Sequence, residues 1–286
     1  MQVWYRTQAR IWELFYPRIS PEVPAPDLPQ EVIQRIIAHL IYHTPSLLAC
    51  SLTCYSWYIA TVPHLHHTLI ILNRRCYTIP EHTWPEPLRN AGRLGLLPLV
   101  RRVQVRRVDF DYDGLYPGLF NRDTLRHFSA LSNVQKLEID DLDIPKFMPR
   151  IRQYFGNFSP TLRSLSLCGP KGSCRQLLFF IGLFQYLEDL ELLDCVPDNF
   201  ESDLVEDPTL IPLFTPPLQG RLTVSRSTRV GLFKNMVDLF KGIKFHYMDL
   251  FDVEGMGLLM GACVETLETL RIYPKDPRGE QLSLKG

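Results

Sequence analysis

The feature that most constrains the fold is a short apolar pattern that returns along the C-terminal two thirds of the chain. Two residues separate its first and second apolar positions, and one residue separates the second and third. The clear copies are Val100-Val103-Val105, Val134-Leu137-Ile139, Leu162-Leu165-Leu167, Leu187-Leu190-Leu192, Phe245-Met248-Leu250 and Leu267-Leu270-Ile272. Their first residues are 34, 28, 25, 58 and 22 positions apart, and an imperfect copy, Leu218-Leu222-Val224, divides the 58-residue interval. Such a period predicts repeated structural units.

Helix-like stretches lie between several copies of the pattern. They are Phe147-Met148-Ile151-Phe155, Leu177-Leu178-Ile181-Phe184 and Leu232-Phe233-Met236-Leu239-Phe240. The units resemble irregular leucine-rich repeats, and Cys195 stands where that family's ladder residue would be. We therefore expect an α/β fold in which residues 74–286 form an irregular solenoid of strand–helix units. A doubly wound sheet is the competing fold, because it also alternates strands and helices.

Two segments fall outside the repeats. Residues 196–217 combine acidic residues with Pro208, Pro212, Pro216 and Pro217, which predicts a solvated surface insertion or, alternatively, a site for a basic partner. Residues 1–26 form an aromatic and proline-rich arm, which we expect to pack on the body of the protein or on a partner.

The segment 27–73 is predicted to be a small helical module. Pro29 suits the first position of a helix whose apolar stripe is Val32, Ile33, Ile36, Ile37 and Leu40. Thr44 is expected to cap a second helix, and Pro63 is expected to end the apolar stretch that follows. Fewer than fifty residues cannot cover that much apolar surface by themselves, so the module is predicted to bind a protein partner.

The module resembles an F-box, on the residues Leu28-Pro29, Glu31-Val32, Ile36-Ile37, Leu40, the run Leu48 to Cys54, and Ser56-Trp57. Val32 departs from the usual Leu or Ile. The resemblance implies docking to a Skp-type adaptor, which links to a cullin scaffold and a ubiquitin-conjugating enzyme. The residues implied to bind the adaptor are Leu28, Pro29, Glu31, Val32, Ile36, Ile37, Leu40, Leu48, Leu52, Cys54 and Trp57.

Composition excludes several classes of partner. A formal net charge of 0 gives no bias toward nucleic acid or anionic membranes. Seven cysteines without regular spacing predict free thiols in a reducing compartment, which favours the cytoplasm or nucleus. We also expect no secretory signal peptide, because Arg6, Arg10 and Glu13 interrupt the apolar residues at the N-terminus.

Candidate sites of chemistry are weak. Asp109, Asp111 and Asp113 imitate the opening of a calcium loop, but Phe120 stands where its last carboxylate belongs. Gly255, Gly257 and Gly261 are better explained as allowing close helix–strand packing than as a dinucleotide site. The group His64, His66, His67 and Cys76 lacks a second ligand pair, and Cys50 and Cys54 are predicted to be small core residues. The arginines between 74 and 107 are expected to form a solvated strand face.

The sequence thus predicts a non-enzyme without metal or cofactor. What the resemblance implies is a substrate-recognition adaptor of a Skp–cullin–F-box ubiquitin ligase. An F-box protein that acts outside ubiquitylation is one alternative, and an α/β nucleotide-binding enzyme is another.

A substrate surface is expected on the strand residues that alternate with the core positions, because successive side chains point to opposite faces of a strand. The predicted substrate-binding residues are Arg102, Gln104, Arg106, Lys136, Glu138, Asp140, Asp189, Glu191, Tyr247, Asp249 and Arg271. Ser164, Ser166 and Thr269 lie among them. The face is expected to run from basic through neutral to acidic and to end with aromatic character, so it would orient an extended partner of opposite charge order.

Overall fold

The computed structural model describes residues 28–74, 91–92, 94–108, 130–142, 144–147, 151–195, 218–225, 230–240, 242–251 and 256–273. The arm 1–26, the calcium-like aspartates and the insertion 196–217 lie outside the described residues. Within the described residues, the N-terminal part contains three helices: α1 (Gln30–His39), α2 (Thr44–Ser51) and α3 (Tyr55–Leu65). Both α1 and α2 pack on α3, around a small core of Ile33, Ile37, Leu47 and Ala60.

The ends of these helices differ in detail from the expectation. Pro29 is the residue before α1 rather than its first residue, and its carbonyl accepts the first helical hydrogen bonds. Thr44 begins α2, while His43 caps it through a ring nitrogen that accepts a hydrogen bond from the Ser46 N–H at 3.3 Å. Pro63 lies inside α3, where it removes only one hydrogen bond next to the helix end, so the helix continues to Leu65.

Eight parallel strands form one sheet, in the order in which they follow along the chain. Their bounds are β1 (Thr68–Arg74), β2 (Arg102–Val108), β3 (Lys136–Asp140), β4 (Ser164–Cys168), β5 (Asp189–Leu193), β6 (Leu218–Ser225), β7 (Ile243–Phe251) and β8 (Thr269–Tyr273). The predicted mixed α/β class is confirmed. A doubly wound sheet reverses its strand order near the middle, and this order has no reversal.

The strand register aligns the second and third apolar positions of every unit. One buried row runs through Leu69, Val103, Leu137, Leu165, Leu190, Leu222, Met248 and Leu270. The next runs through Ile71, Val105, Ile139, Leu167, Leu192, Val224, Leu250 and Ile272. Burial ends at the last strand, where Leu270 is partly exposed and Ile272 is 41% exposed. In β3, β4 and β5 the buried positions alternate with partly exposed ones, so one face of the sheet is apolar and the other is polar.

Helices cover the apolar face. They are α4 (Ile144–Phe147), α5 (Ile151–Phe155), α6 (Cys174–Ile181), α7 (Val230–Leu239) and α8 (Gly257–Cys263), with short 3-10 turns at Leu97–Leu99 and Gly156–Phe158. Ser173 and Gln176 form a capping box at the start of α6. Phe158, Phe155, Phe180 and Phe184 make a chain of edge-to-face contacts, with ring centroids 5.1–6.0 Å apart, which links the helical layer of successive units.

The same backbone hydrogen bonds recur between neighbouring units. At the strand starts, two successive N–H groups donate to one carbonyl of the preceding unit: Gln135 and Lys136 to Arg101, then Arg163 and Ser164 to Gln135. Glu188 and Asp189 repeat the arrangement on Arg163. The carbonyl at the same position of each of these units thus accepts the hydrogen bonds from the next unit.

The strand ends repeat a second local geometry. Asp141, Gly169 and Asp194, each directly after its strand, have φ of 59°, 59° and 48°. Their N–H groups donate to the last residue of the next strand, which is Cys168, Leu193 and Ser225 respectively. Because the positive φ turns the chain away from the sheet at the same point, successive strands end in line.

One unit departs from this regularity. The pairing of β6 with β7 shifts between Gly220 and Arg221, and Gly220 has a φ of 88°. A Cβ atom at Gly220 would lie 2.1 Å from the carbonyl oxygen of Glu188, so only glycine fits. Gly220 pairs with Phe245 and Arg221 with Tyr247, so the bulge leaves His246 of β7 without a partner in β6 and keeps Leu222 beside Met248 in the buried row.

Candidate interaction surfaces

The three-helix segment exposes aliphatic side chains in two groups. On α1 and just before it, Leu28, Val32 and Ile36 are exposed; on α2 and just after it, Leu48 and Leu52 are 51% and 60% exposed. Residues 32 and 36 lie one helical turn apart, as do 48 and 52, so each pair shares a helix face. Pro29 and Glu31 are also exposed, beside Leu28.

Three other predicted adaptor-binding residues belong wholly or partly to the interior: Ile37, Leu40 and Trp57. Ile37 is 0% exposed and is part of the segment's own core, and Leu40 and Trp57 pack against that core. The apolar stripe of α1 therefore divides between Ile33 and Ile37, which point inward, and Val32 and Ile36, which point outward. This apolar stripe is too wide for one neighbouring helix to cover. One part of it therefore packs in the core of the segment, and the other part is exposed.

Two further observations differ from the sequence analysis. Cys54 is exposed, not a core residue, whereas Cys50 does pack against the core of the segment. Tyr42 and Tyr55 of the same segment are also exposed, and the sequence analysis did not predict them. An aromatic residue directly after Cys54 at a helix start was the available signal for Tyr55.

The polar face of the sheet brings the predicted substrate-binding residues into two rows. One row contains Thr68, Arg102, Lys136, Ser164, Asp189, Arg221, Tyr247 and Thr269. The other contains Ile70, Gln104, Glu138, Ser166, Glu191, Thr223, Asp249 and Arg271. Arg106 and Asp140 lie one step further along their strands. Gln104 and Asp249, at 3% and 5% exposed, are buried in spite of their place on this face.

The first part of the polar face, on β2 and β3, compensates its own charges. Glu138 accepts from Arg102 Nη2 at 2.6 Å, lies 3.1 Å from Lys136 Nζ, and also accepts from Gln104 Nε2. Burial by itself would raise the pKa of Glu138, but the hydrogen bonds from Lys136, Arg102 and Gln104 outweigh it and lower the pKa. The basic start expected from the sequence is therefore largely neutralised, although Arg101 and Arg106 remain exposed.

The middle of the face, on β4 and β5, is acidic. Ser164 Oγ donates to Asp189 Oδ2 at 3.0 Å, and Glu191 lies one position beyond Asp189 on the same face. Burial and the carboxylates of Asp140, Asp194 and Glu191 raise the pKa of the Cys168 thiol. A thiol held protonated in this way is a poor nucleophile.

Aromatic and arginine side chains form the last part of the face, on β6 to β8. The Cζ atoms of Arg221 and Arg271 lie 4.5 and 5.4 Å from the centroid of the Tyr247 ring. Arg221 Nη2 donates to Asp249 Oδ2 at 2.9 Å. Phe251 and Tyr273 stack with centroids 4.0 Å apart and ring planes 3° apart.

Sequence reasoning missed Arg221, Phe251 and Tyr273 on this surface. The imperfect copy around Leu222 left the register of β6 open, so Arg221 was not assigned to the face. The available signal was local: Arg221 precedes Leu222 as Lys136 precedes Leu137. Phe251 and Tyr273 follow Leu250 and Ile272 directly, and the same alternation extended by one residue would have included them.

Two polar atoms on this face are buried and have no hydrogen-bond partner within the described part of the chain. They are Arg102 Nε, at one end, and Asp249 Oδ1, at the other. Native proteins leave few such atoms unsatisfied, because each one costs about 1–3 kcal/mol.

The described residues contain no arrangement typical of a metal or cofactor site. No three His, Cys, Asp or Glu side chains among them are grouped as metal binding requires. A hollow of about 370 Å³ beside β1 is largely apolar, with His66 as its titratable residue. Burial lowers the pKa of both His64 and His66, and His67 contributes to the shift at His64.

The glycines of α8 have a different role from the one predicted. A Cβ atom at Gly257 or Gly261 would meet nothing within 4 Å, so these residues do not allow a close approach of helix and strand. Both are exposed, because α8 turns its buried side, Leu259 and Cys263, toward the sheet. No helix within the described ranges combines the length and apolarity that crossing a bilayer demands.

Comparison with known families identifies the three-helix segment. Residues 25–71 match the family described as F-box-like. None of the curated proteins matches the chain. F-box domains are typically adaptors rather than enzymes, and such a domain supports binding of a Skp-type adaptor. The exposed aliphatic residues of α1 and α2 thus belong to an F-box-like domain, which suggests a role in a ubiquitin ligase adaptor of the Skp–cullin–F-box type.

Proposed function

We propose that this protein is the substrate-recognition subunit of a Skp–cullin–F-box ubiquitin ligase. The observation that carries the proposal is the exposure of Leu28, Val32, Ile36, Leu48 and Leu52 within the matched segment. A large aliphatic side chain releases about 1.5–3 kcal/mol when it is fully buried, so five of them represent a strong gross driving force for docking. A Skp-type adaptor is the partner that covers them.

The sheet and its helices are proposed to be a solenoid of the leucine-rich-repeat type. Sequential parallel strands, one helical face, and the recurring hydrogen bonds at both strand ends support this. In a stack of this kind each unit touches its neighbours only, which leaves one long continuous face free for a partner.

That free face is proposed to bind the protein substrate. The residues assigned to binding are Arg102, Gln104, Arg106, Lys136, Glu138, Asp140, Asp189, Glu191, Tyr247, Asp249 and Arg271, to which we add Arg221. Gln104 and Asp249 would act mainly by orienting their neighbours, since both are buried.

The mechanism is proximity rather than chemistry by this chain. The F-box-like domain holds the ligase core while the sheet holds the substrate, so the reactive groups meet at a raised effective concentration. The protein itself needs no cofactor and works in the cytoplasm or nucleus, where ubiquitin ligases of this kind operate.

Adaptor capture by the full-length chain tests the proposal. Leu48→Asp with Leu52→Asp places two charges in the surface to be buried and is expected to weaken binding to a purified Skp-type adaptor at least a hundredfold. Leu258→Asp is the matched control, because Leu258 is 58% exposed but lies on α8, outside the F-box-like domain. Equal binding by the double variant and the control would refute the docking surface.

Co-purification from cells then separates ligase function from a role outside ubiquitylation. Wild-type chain is expected to bring down both adaptor and cullin, and the double variant neither. Adaptor without cullin would favour an F-box protein that acts outside ubiquitylation.

A further inference from the structure

The cluster at the β6–β8 end of the polar face, Arg221, Tyr247, Asp249 and Arg271, carries an unbalanced positive charge. Arg221 pairs with Asp249, and Arg271 is attracted to the same carboxylate and interacts with Tyr273 but forms no ion pair with any residue that the structure describes. Two guanidinium groups and one carboxylate leave a net charge of +1. This end of the face therefore attracts an anionic group.

Both arginines are held in place before any ligand arrives. Arg221 comes from β6 and Arg271 from β8, and their guanidinium groups flank Tyr247 on the strand between them. The buried carboxylate of Asp249 fixes Arg221 further, through the 2.9 Å hydrogen bond to Nη2. An arginine pinned by a ring and a carboxylate loses less side-chain entropy on binding than a free one.

An aromatic platform adjoins the cluster. Phe251 and Tyr273 stack two residues beyond Asp249 and Arg271 on the same strands, and both are half-buried. Two residues of an extended chain span about 6.6–6.8 Å. A peptide that lies along the strands would therefore place residues i and i+2 over the arginines and the platform.

The rest of the face restricts an anion to this end. Asp189 and Glu191, on β5, stand in the same two rows as Arg221 and Thr223 of β6. These carboxylates repel an anionic ligand, and Glu138 already engages Arg102 on β2 and Lys136 on β3. Among the described strands, the β6–β8 end combines exposed positive charge with an adjoining aromatic surface.

We infer that this cluster binds an extended acidic peptide segment of the substrate, with a carboxylate side chain between Arg221 and Arg271 and, two residues on, an aromatic or large aliphatic side chain on the Phe251–Tyr273 platform. Arginine pairs suit this ligand because planar guanidinium groups match the two oxygens of a carboxylate. The inference rests on the proposed substrate face and adds the class of segment that the face would take.

Panning a phage-displayed library of random twelve-residue peptides on the full-length chain tests the inference, with and without bound adaptor. The expected result is enrichment of Asp or Glu followed two positions later by Phe, Tyr or Leu. A synthetic peptide of the enriched sequence is expected to bind Arg271→Glu at least tenfold more weakly than wild type, and to lose affinity as salt is raised.

Arg163→Glu is the matched control, since Arg163 also lies over a tyrosine ring, Tyr186, at 4.8 Å but precedes β4, away from the cluster. Wild-type affinity for the peptide is expected in this variant. No acidic enrichment, or equal loss in Arg163→Glu and Arg271→Glu, would overturn the inference. At least tenfold tighter binding of a phosphoserine peptide than of its glutamate counterpart would overturn the assignment to carboxylate.

Measuring adaptor binding in the same experiment separates the test of the peptide site from the test of the proposed ligase role. Peptide enrichment without adaptor capture would refute the ligase role and leave the peptide site standing. Adaptor capture without acidic enrichment would do the reverse.

Discussion

Leucine side chains are exposed in one region of this protein and buried in the other. In the F-box-like domain Leu52 is 60% exposed, whereas Leu165 and Leu167, in the middle of the sheet, are 0% exposed. The difference comes from neighbours: every central strand has a strand on each side and helices over its apolar face, while among the described elements α1 and α2 pack mainly on α3. In the sheet region, neighbouring units cover the apolar residues of each unit. In the three-helix segment, part of the apolar surface stays uncovered and can bind another protein.

The largest test of this contrast is to remove one large apolar side chain from each region. Phe180→Ala removes a fully buried ring in edge-to-face contact with Phe155 and Phe184. We expect it to lower the free energy of unfolding of the sheet region by about 3–5 kcal/mol in urea titrations.

Leu52→Ala is the counterpart, and it should change the stability of the free chain by less than about 0.5 kcal/mol. We expect this substitution to weaken adaptor binding instead. Similar losses of stability from the two substitutions would erase the distinction between the regions.

Gly220→Ala tests how much the bulge contributes to the stability of the sheet region. Positive φ costs a non-glycine residue about 1–3 kcal/mol, and the new methyl group would also meet the Glu188 carbonyl at 2.1 Å. We expect destabilisation of about 3 kcal/mol in thermal or urea unfolding.

Gly261→Ala is the control for that substitution, because its methyl group would meet nothing within 4 Å and alanine favours the helix. A stability gain of about 0.5–1 kcal/mol is expected. A neutral Gly220→Ala would mean that the bulge can be given up without loss.

Adding the adaptor should stabilise one region and leave the other unchanged. At a free adaptor concentration of about a hundred times Kd, binding contributes about 2.7 kcal/mol. Hydrogen exchange is expected to slow in α1, α2 and α3 and to stay unchanged in β3, β4 and β5. Equal protection in both regions would contradict a docking surface confined to the helices.

The smallest expected effect is a pH dependence on the polar face. The pKa of Glu138 is lower in the folded protein than in the unfolded chain, so its contribution is present above about pH 4.5 and is lost as the pH falls through the folded value. Unfolding experiments between pH 6 and pH 3 should show a steeper loss of stability for wild type than for Glu138→Gln. Identical slopes would mean that the hydrogen bonds around Glu138 contribute nothing to folding.

Much of the fold could be predicted from sequence because each strand carries its own signal. In β3, Leu137 and Ile139 alternate with polar residues, and one face of a strand needs no knowledge of distant contacts. The seven predicted units all contain strands, and β1 precedes them in the same sheet.

What escaped prediction depends on how elements meet. Whether Ile37 or Ile36 faces inward depends on where α3 lies, and both belong to one apolar stripe. The capture of Arg102 and Lys136 by Glu138 requires the register of β2 against β3, which the spacing of the copies does not supply. The prediction of exposed strand residues failed at Gln104 and Asp249 for the same reason, since neighbouring side chains cover both.

The bulge at Gly220 has a consequence for how a stack of unequal units can change over time. Shifting a strand by a single residue would turn its whole set of side chains to the opposite face, and the β6–β7 pair avoids this by confining one additional residue, His246 of β7, to a local bulge. A unit can therefore change in length without changing which face of the sheet its side chains occupy. Residues can be inserted or deleted between strands while every row on the polar face stays aligned. A surface built in this way can exchange its recognition residues one by one without disturbing the framework that presents them.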